Sequence, residues 1–368
     1  MRIGHKKWLI PMSVLLFIII VSFTLCLKSG GEPGIIAPRE VAENLILWAR
    51  LSFAKLFKLP LYLEREALIE QHPYYLMTVA RFKNTVLTFL SGAILSLAGA
   101  VYQGVFRNPM AAPTMLGVTS GVNLGLLMLV LTFSTEVYFM TAQRYIYCYG
   151  FALVMLLLAM LGGKMIGRNR AAVTDMLLVG MVLTQMVNVI ISYYRFVMDE
   201  LDIEIMMELT MRGFSSNTSI SFSTISFYVM LIATIIGILP VHLMRFSFCA
   251  VSFSDEEVLS MGVNPRVMRT ISILGVTLLV ASAIIHCGNV GILALVVPHV
   301  CRYWVGAKFK PLYYAGIFFG GLVLVLCRAI SSLIYIECFG SFPLGPLVTL
   351  TAMPILAMAL MQRRRGWE

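Results

Sequence analysis

The side chains that could do chemistry in this chain are few and scattered. None of the 18 acidic residues falls in the middle of an apolar run, and Asp175 stands only at the edge of one. Ion- and proton-coupled transporters place carboxylates near the bilayer midplane, because a proton or Na⁺ needs an anionic or titratable ligand there. His242, His286, His299 and Arg328 do lie within apolar runs. A lone histidine in such a place reads first as a side chain hydrogen-bonded to a backbone carbonyl, and Arg328 is close enough to its span end to snorkel. The seven cysteines (Cys26, Cys148, Cys249, Cys287, Cys301, Cys327 and Cys338) form no C-x-x-C pair. They read as small buried hydrophobes rather than as a metal cluster or disulfide frame. H-E-x-x-H, G-x-S-x-G and G-x-x-x-x-G-K-[ST] are all absent. The chain is therefore expected to be no enzyme, to bind no ATP and to hold no metal or cofactor. Any uphill transport would draw its energy from another subunit.

The elements that carry these residues belong to a membrane. Of 368 residues, 59% are hydrophobic and 12% charged, against about half and a quarter in a soluble domain. Too little polar surface remains to cover a water-soluble globule. Apolar runs at 9–27, 85–106, 115–133, 145–162, 173–196, 222–244, 270–287, 292–305, 311–335 and 344–361 predict an all-α polytopic helix bundle of about ten transmembrane helices. The first run is expected to be a retained helix, since it is long for a signal peptide and no A-x-A site follows it. The eighth run is short and ends in Pro298, His299 and Arg302, as a half-span or re-entrant piece would.

Lys and Arg outnumber Asp and Glu 28 to 18, a formal charge of +10. The basic residues gather in alternate connections, as with Lys164, Arg168 and Arg170, or Arg363, Arg364 and Arg365. The positive-inside rule then sets both termini in the cytoplasm. No basic face interleaved with aromatics supports nucleic-acid binding. The whole chain, 1–368, reads as one permease domain. Its segment 28–84 would lie outside the cytoplasm, and residues after 196 would form a short outer loop. Residues 39–58 carry apolar positions at Val41, Leu45, Trp48, Leu51, Leu56 and Phe57. This pattern fits an amphipathic helix, either lying on the outer surface or capping the bundle.

Three segments carry a more specific pattern. In 91–125, Gly92, Gly99, Gly117 and Gly121 are small residues that let helices approach closely, and Arg107-Asn108-Pro109 with Pro113 breaks the chain between two spans. In 252–266, Ser254 is placed to cap a short helix whose first turn holds Asp255, Glu256 and Glu257. Gly262 would end that helix after about two turns, and Pro265 would prevent its continuation. A capped helix at the membrane surface is suited to dock a partner. In 288–302, Gly288, Gly291 and Pro298 interrupt a short span, which points to a transport pathway.

These segments resemble the FecCD-type permeases, the membrane subunits of ABC importers for iron-siderophores, haem and vitamin B12. The resemblance rests on Gly92-Ala93 through Gly121, including Gln103, Arg107, Asn108 and Pro109; on Asp255 through Leu259, Met261, Gly262, Val263 and Asn264; and on Gly288, Gly291, Leu295, Pro298, His299 and Arg302. It covers the chain from residue 81 onward. The resemblance implies a type II ABC importer permease in the cytoplasmic (inner) membrane. It would pair with a second permease subunit, identical or paralogous, with two cytoplasmic ATPase subunits and with an extracytoplasmic substrate-binding protein. Residues 253–265 would be the cytoplasmic coupling helix, and Arg81 with Lys83 would meet the binding protein. The alternative from the residues alone is a stand-alone facilitator or channel.

Some positions depart from the family pattern. Arg81-Phe82-Lys83-Asn84 stands where R-x-P-R is usual, and Ile330 and Ile334 stand where the ninth span usually carries D-x-x-x-R. Thr210 replaces a Trp, while Ala294 and Ala352 replace glycines.

Overall fold

A computed structural model describes residues 36–57, 64–72, 74–138, 141–166, 172–213, 224–243, 255–262, 264–306, 309–336 and 340–365. The expected first span at 9–27, Ser254 and Val263 lie outside these residues. In chain order the helices are α1 (Pro38–Leu56), α2 (Arg65–Glu70), α3 (Tyr75–Val105), α4 (Val118–Phe133), α5 (Thr141–Ile166), α6 (Ala172–Val197), α7 (Glu200–Arg212) and α8 (Thr224–Leu243). There follow α9 (Asp255–Ser260), α10 (Pro265–Cys287), α11 (Leu293–Val305), α12 (Phe309–Leu333) and α13 (Leu344–Arg365). Among the described residues, 6 helices are long and apolar enough to cross a membrane, with shorter apolar helices at Tyr228–Leu243, Leu293–Val305 and Leu344–Ala357. Each described span overlaps an expected run, but α3 starts at Tyr75, ten residues before the expected 85 and within the segment expected to lie outside the membrane.

The chain divides into two compact units. The first comprises residues 1–86, 217–222 and 325–342. In it α1 starts on Pro38, whose missing N–H costs nothing at a helix N-terminus. Its apolar face buries Leu47 and Leu51 against Tyr75 and Val79 of α3, with Leu68 and Ile69 of α2 beside them. Val41 and Leu45 pack near Ile36 and Phe82, and the Trp48 and Phe82 rings are 5.4 Å apart. Asn44 Nδ2 donates to Thr78 Oγ1 at 3.2 Å, a polar contact within this seam that both helices supply. The amphipathic helix read from 39–58 is thus present. Phe57 falls off its packed face, however, and is exposed with Phe53, their rings 4.4 Å apart.

At the other end of this unit the chain leaves α12 through a small antiparallel ribbon, β1 (Tyr335–Ile336) with β2 (Gly340–Ser341). The Phe342 N–H donates to Ser331 O and Ile334 O, and Ser331 Oγ donates to Phe342 O at 2.5 Å. The ninth hydrophobic run therefore ends at Leu333 in helix and finishes as ribbon, a detail that hydropathy does not encode.

The second unit, residues 87–216, 223–324 and 343–368, holds the bundle. The later part of α3 and most of α10 form its interior: Leu87, Ile94, Leu97, Val101 and Tyr102 of one, and Val276, Leu279, Val280 and Ile284 of the other, are almost fully buried. Helices apolar on every side belong in such a centre. Around them α4 packs on α5, α5 on α6, α8 on α10, and α11 on α13.

A helix also forms where the sequence reads as outer loop. α7 follows Asp199, carries Glu200 and Asp202 in its first turn and Arg212 in its last, and buries Ile205, Met206 and Leu209. The charges suit its dipole, and the apolar trio recurs at helical spacing.

Candidate functional site

The Gly- and Pro-rich segments meet inside the second unit, and their chemistry there is packing. Pro298 lies within α11 and has no N–H to offer the Ala294 carbonyl four residues back. A carbonyl freed in a membrane interior must be covered by something. Gly99 of α3 supplies the cover: a β-carbon at Gly99 would stand only 1.6 Å from Ala294 O, so its Cα–H rests directly on that oxygen. One turn on, Gln103 Nε2 donates to Leu295 O at 3.4 Å, and His299 Nδ1 lies 3.1 Å from the same oxygen. A carbonyl only accepts, so His299 carries its proton on Nδ1. Gly99, Gln103, Pro298 and His299 are therefore one device that holds a broken helix against α3.

The remaining small residues act similarly. Gly92 meets Gly320 of α12 backbone to backbone, and Gly121 meets Phe151 and Ala152 of α5. Gly288 has φ +76 and lies against Met211 and Arg212, so the break between α10 and α11 is wrapped by the end of α7. The Asn289 N–H donates to Thr210 O at 2.9 Å. Gly291 abuts Thr114. Two departures from the family pattern, Thr210 and Ala294, touch this break. Another, Ala352, packs with Val296 of α11 in a shared cluster.

Between α3 and α4 the chain turns in a definite shape. Asn108 N–H donates to Gln103 O, and Arg107 N–H to Gly104 O, with Arg107 at φ +47. This is a Schellman turn with arginine where glycine is usual. Asn108 Oδ1 then accepts from Met110 N at 2.9 Å, fixing the bend around Pro109. Pro113 opens a 3₁₀ turn, Pro113–Leu116, and Gly117 at φ +78 passes the chain into α4. Pro113, Gly117, Gly121, Gly288 and Pro298 are all buried.

The third segment is exposed. α9 spans Asp255–Ser260, about one and a half turns, and among its described side chains Val258 alone is buried, at 1% exposure. Glu256 and Glu257 are exposed, and Leu259 and Met261 are 55% and 53% exposed although both are apolar. Ser260 Oγ donates to Glu257 O, and Gly262 turns the chain at φ +79 in open space. Asn264 then caps α10, its side chain accepting from Arg266 N at 3.1 Å and Val267 N at 3.3 Å. Pro265 takes the first position of α10. Its part is therefore to start the next span, which begins five residues before the expected 270.

α10 joins two ends of the bundle. Its N-terminus carries α9, while Gly288 at its other end touches α7. At 1.5 Å per residue, 23 residues separate the two by about 34 Å. Along that length Thr277 Oγ1 pairs with the Tyr102 hydroxyl at 3.2 Å and Ser282 Oγ with the Tyr149 hydroxyl at 2.7 Å. His242, another intramembrane histidine, places Nδ1 3.2 Å from the Tyr313 hydroxyl. Arg81 and Lys83 lie partly buried on α3 in the first unit.

This architecture defines a multi-pass membrane protein with a small surface helix tied to its most central span. The chain belongs to the FecCD transport family, whose profile matches residues 45–362. It is 28% identical over 254 residues to the probable iron chelatin transport system permease protein of Helicobacter pylori, covering 69% of this chain and 73% of that one. It is 23% identical over 289 residues to the hemin transport system permease protein of Yersinia pestis, covering 77% and 82%. Its fold is similar to that of a metal-chelate-type ABC transporter in an inward-facing conformation, with TM-score 0.73 at 20% identity over 97% of this chain and 99% of that one.

Proposed function

We propose that the chain is the membrane permease subunit of an ABC importer for an iron chelate, haem or a cobalamin-type chelate. It sits in the cytoplasmic membrane with both termini inside and pairs with a second permease subunit. Two cytoplasmic ATPases energise it, and an extracytoplasmic binding protein delivers cargo near Arg81 and Lys83.

The observation that carries this reading is the build of Asp255–Asn264. A helix held by one buried side chain, with Leu259 and Met261 exposed, presents apolar surface that a partner would cover. Its connection to α10 is short and ends in a cap, so displacement of α9 moves α10 rather than dissipating in a loop. Nucleotide binding by the partner biases the bundle by contacting α9 better in one state than in the other. Ion pairs from Glu256 or Glu257 add only about 0–1 kcal/mol each, so the apolar fit dominates.

Deletion of residues 255–261 tests the reading. The full transporter should lose ATP-driven uptake of ferric siderophore, haem and cobalamin while the permease still inserts at normal levels. Unchanged uptake, or ATP-independent flux by the purified permease alone, would refute it; the latter result would identify a facilitator.

A further inference from the structure

α1 carries two apolar faces. One packs on α3 through Leu47 and Leu51. The other is Ile46, Phe53 and Phe57, exposed at 58%, 57% and 58%. These stand at i, i+7 and i+11, within about 20° of one line along the helix. The Phe53 and Phe57 rings rest on each other at 4.4 Å, so the residues form a ridge rather than scattered surface side chains. Arg50 is exposed on the same side, one turn after Ile46. Arg39, at the start of the ridge, is taken by Glu43, Nε to Oε1 at 2.9 Å. Among the described residues Arg50 meets no carboxylate.

The length of α3 sets the level at which this ridge lies. Its 31 residues run about 46 Å. That matches a bilayer with its headgroup layers, about 40–45 Å, rather than the hydrocarbon alone, about 30 Å. The apolar run from 85 onward fills the hydrocarbon, so residues 75–84 cross the headgroup layer. Arg81 and Lys83 belong there, since hydrocarbon excludes charge, and Tyr75 suits an interface. α1 packs on Tyr75 and Val79, and its Trp48 ring lies 5.4 Å from that of Phe82. α1 is thus held against the side of α3 at headgroup level. The face it turns away from α3 looks along the membrane, where lipid stands, rather than out of it.

We infer that α1 is a membrane-interface anchor: Ile46, Phe53 and Phe57 enter the boundary between headgroups and acyl chains, and Arg50 binds an anionic phospholipid headgroup. The alkyl stem of Arg50 lies along the ridge while its guanidinium reaches phosphate oxygens, for which its planar fork of donors is suited. The contact clamps the N-terminal end of α3 to the bilayer. It requires only that the chain sits in a membrane, whatever it carries.

Bimane on single cysteines tests the anchor in the full-length chain, with the unmodified chain as the labelling baseline. The protein is placed in nanodiscs of phosphatidylethanolamine and phosphatidylglycerol that contain phospholipid brominated on its acyl chains. Glu40 and Ser52 are exposed on α1 about 120° round the helix from Ile46, one to each side, and E40C and S52C serve as controls. I46C, F53C and F57C should be quenched at least about twofold more than the controls, and more by bromines near the carbonyl end of the chain than by bromines near its methyl end. Arg50→Glu should lower the F53C signal in these discs and leave it unchanged in phosphatidylcholine discs. Quenching equal to that of E40C and S52C would overturn the anchor. So would ridge positions shielded from both bromolipid and aqueous iodide, which would mark a protein surface covering them. An Arg50→Glu signal equal to that of the parent in the phosphatidylglycerol discs would overturn the headgroup contact.

Discussion

Gly99→Ala adds one methyl group at the tightest contact of the bundle. The new β-carbon would sit 1.6 Å from Ala294 O, where ordinary contact needs roughly 3.5 Å. No side chain can swing aside, because the obstacle is backbone. α3 and α11 must separate by roughly 2 Å, and overpacking of this sort costs about 1–3 kcal/mol. Separation also strains the Gln103–Leu295 hydrogen bond, worth about 0.5–1.5 kcal/mol, and uncovers the carbonyl that Pro298 leaves free. Alanine's better helix propensity returns about 0.5–1 kcal/mol. The net expectation is a loss of about 2 kcal/mol.

Gly104→Ala is the internal control. It lies in the same helix, five residues on, and nothing stands within 4 Å of the place its new methyl group would take. There the propensity gain acts alone, and stability should hold or rise by about 0.5–1 kcal/mol. Thermal unfolding of the purified permease in detergent, followed by size-exclusion recovery, separates the two. Gly99→Ala should melt several degrees lower and Gly104→Ala at or above the parent. Equal melting of the two variants would refute the account of Gly99 as cover for a proline-freed carbonyl.

Two further perturbations address α9. Val258→Asp removes its buried anchor, so uptake should fall to background while the melting temperature of the bundle changes little; uptake above half of the parent's would contradict the anchoring role. Asn264→Ala removes both cap hydrogen bonds, about 1 kcal/mol, and should lower ATP-driven uptake while the permease still inserts at the parent's level. Asn264→Ser or Asn264→Asp, which restore a capping oxygen, should recover most of that uptake, and failure to recover it would argue against the cap as the link.

Hydropathy made the spans legible because each must be apolar over the bilayer's thickness whatever its neighbours. α1 was legible for a related reason: Val41, Leu45, Trp48 and Leu51 repeat at helical spacing. α7 was not, because its apolar trio Ile205, Met206 and Leu209 is short and diluted by five acidic residues between Asp199 and Glu208. The Gly/Pro signature was legible as a pattern, but its packing partners were not. A glycine in a membrane helix signals close approach; only the fold shows that what approaches Gly99 is the carbonyl released by Pro298. Gln185, Asn188 and Ser192 stand at i, i+3 and i+7 in an otherwise apolar run, a pattern legible in the sequence.

α10 and α6 are held in different ways. α10 is held near both ends and hydrogen-bonded midway through Thr277 and Ser282. α6 packs on α5 and on the Pro113–Leu116 turn, leaving its polar line uncovered by the described residues. The end of α6 leads into α7, and α7 is what Gly288 at the far end of α10 touches. α10 thus runs for about 34 Å between α9 and α7, the helix that follows α6. The coupling proposed for α9 would use this path, which needs no carboxylate in the middle of a span.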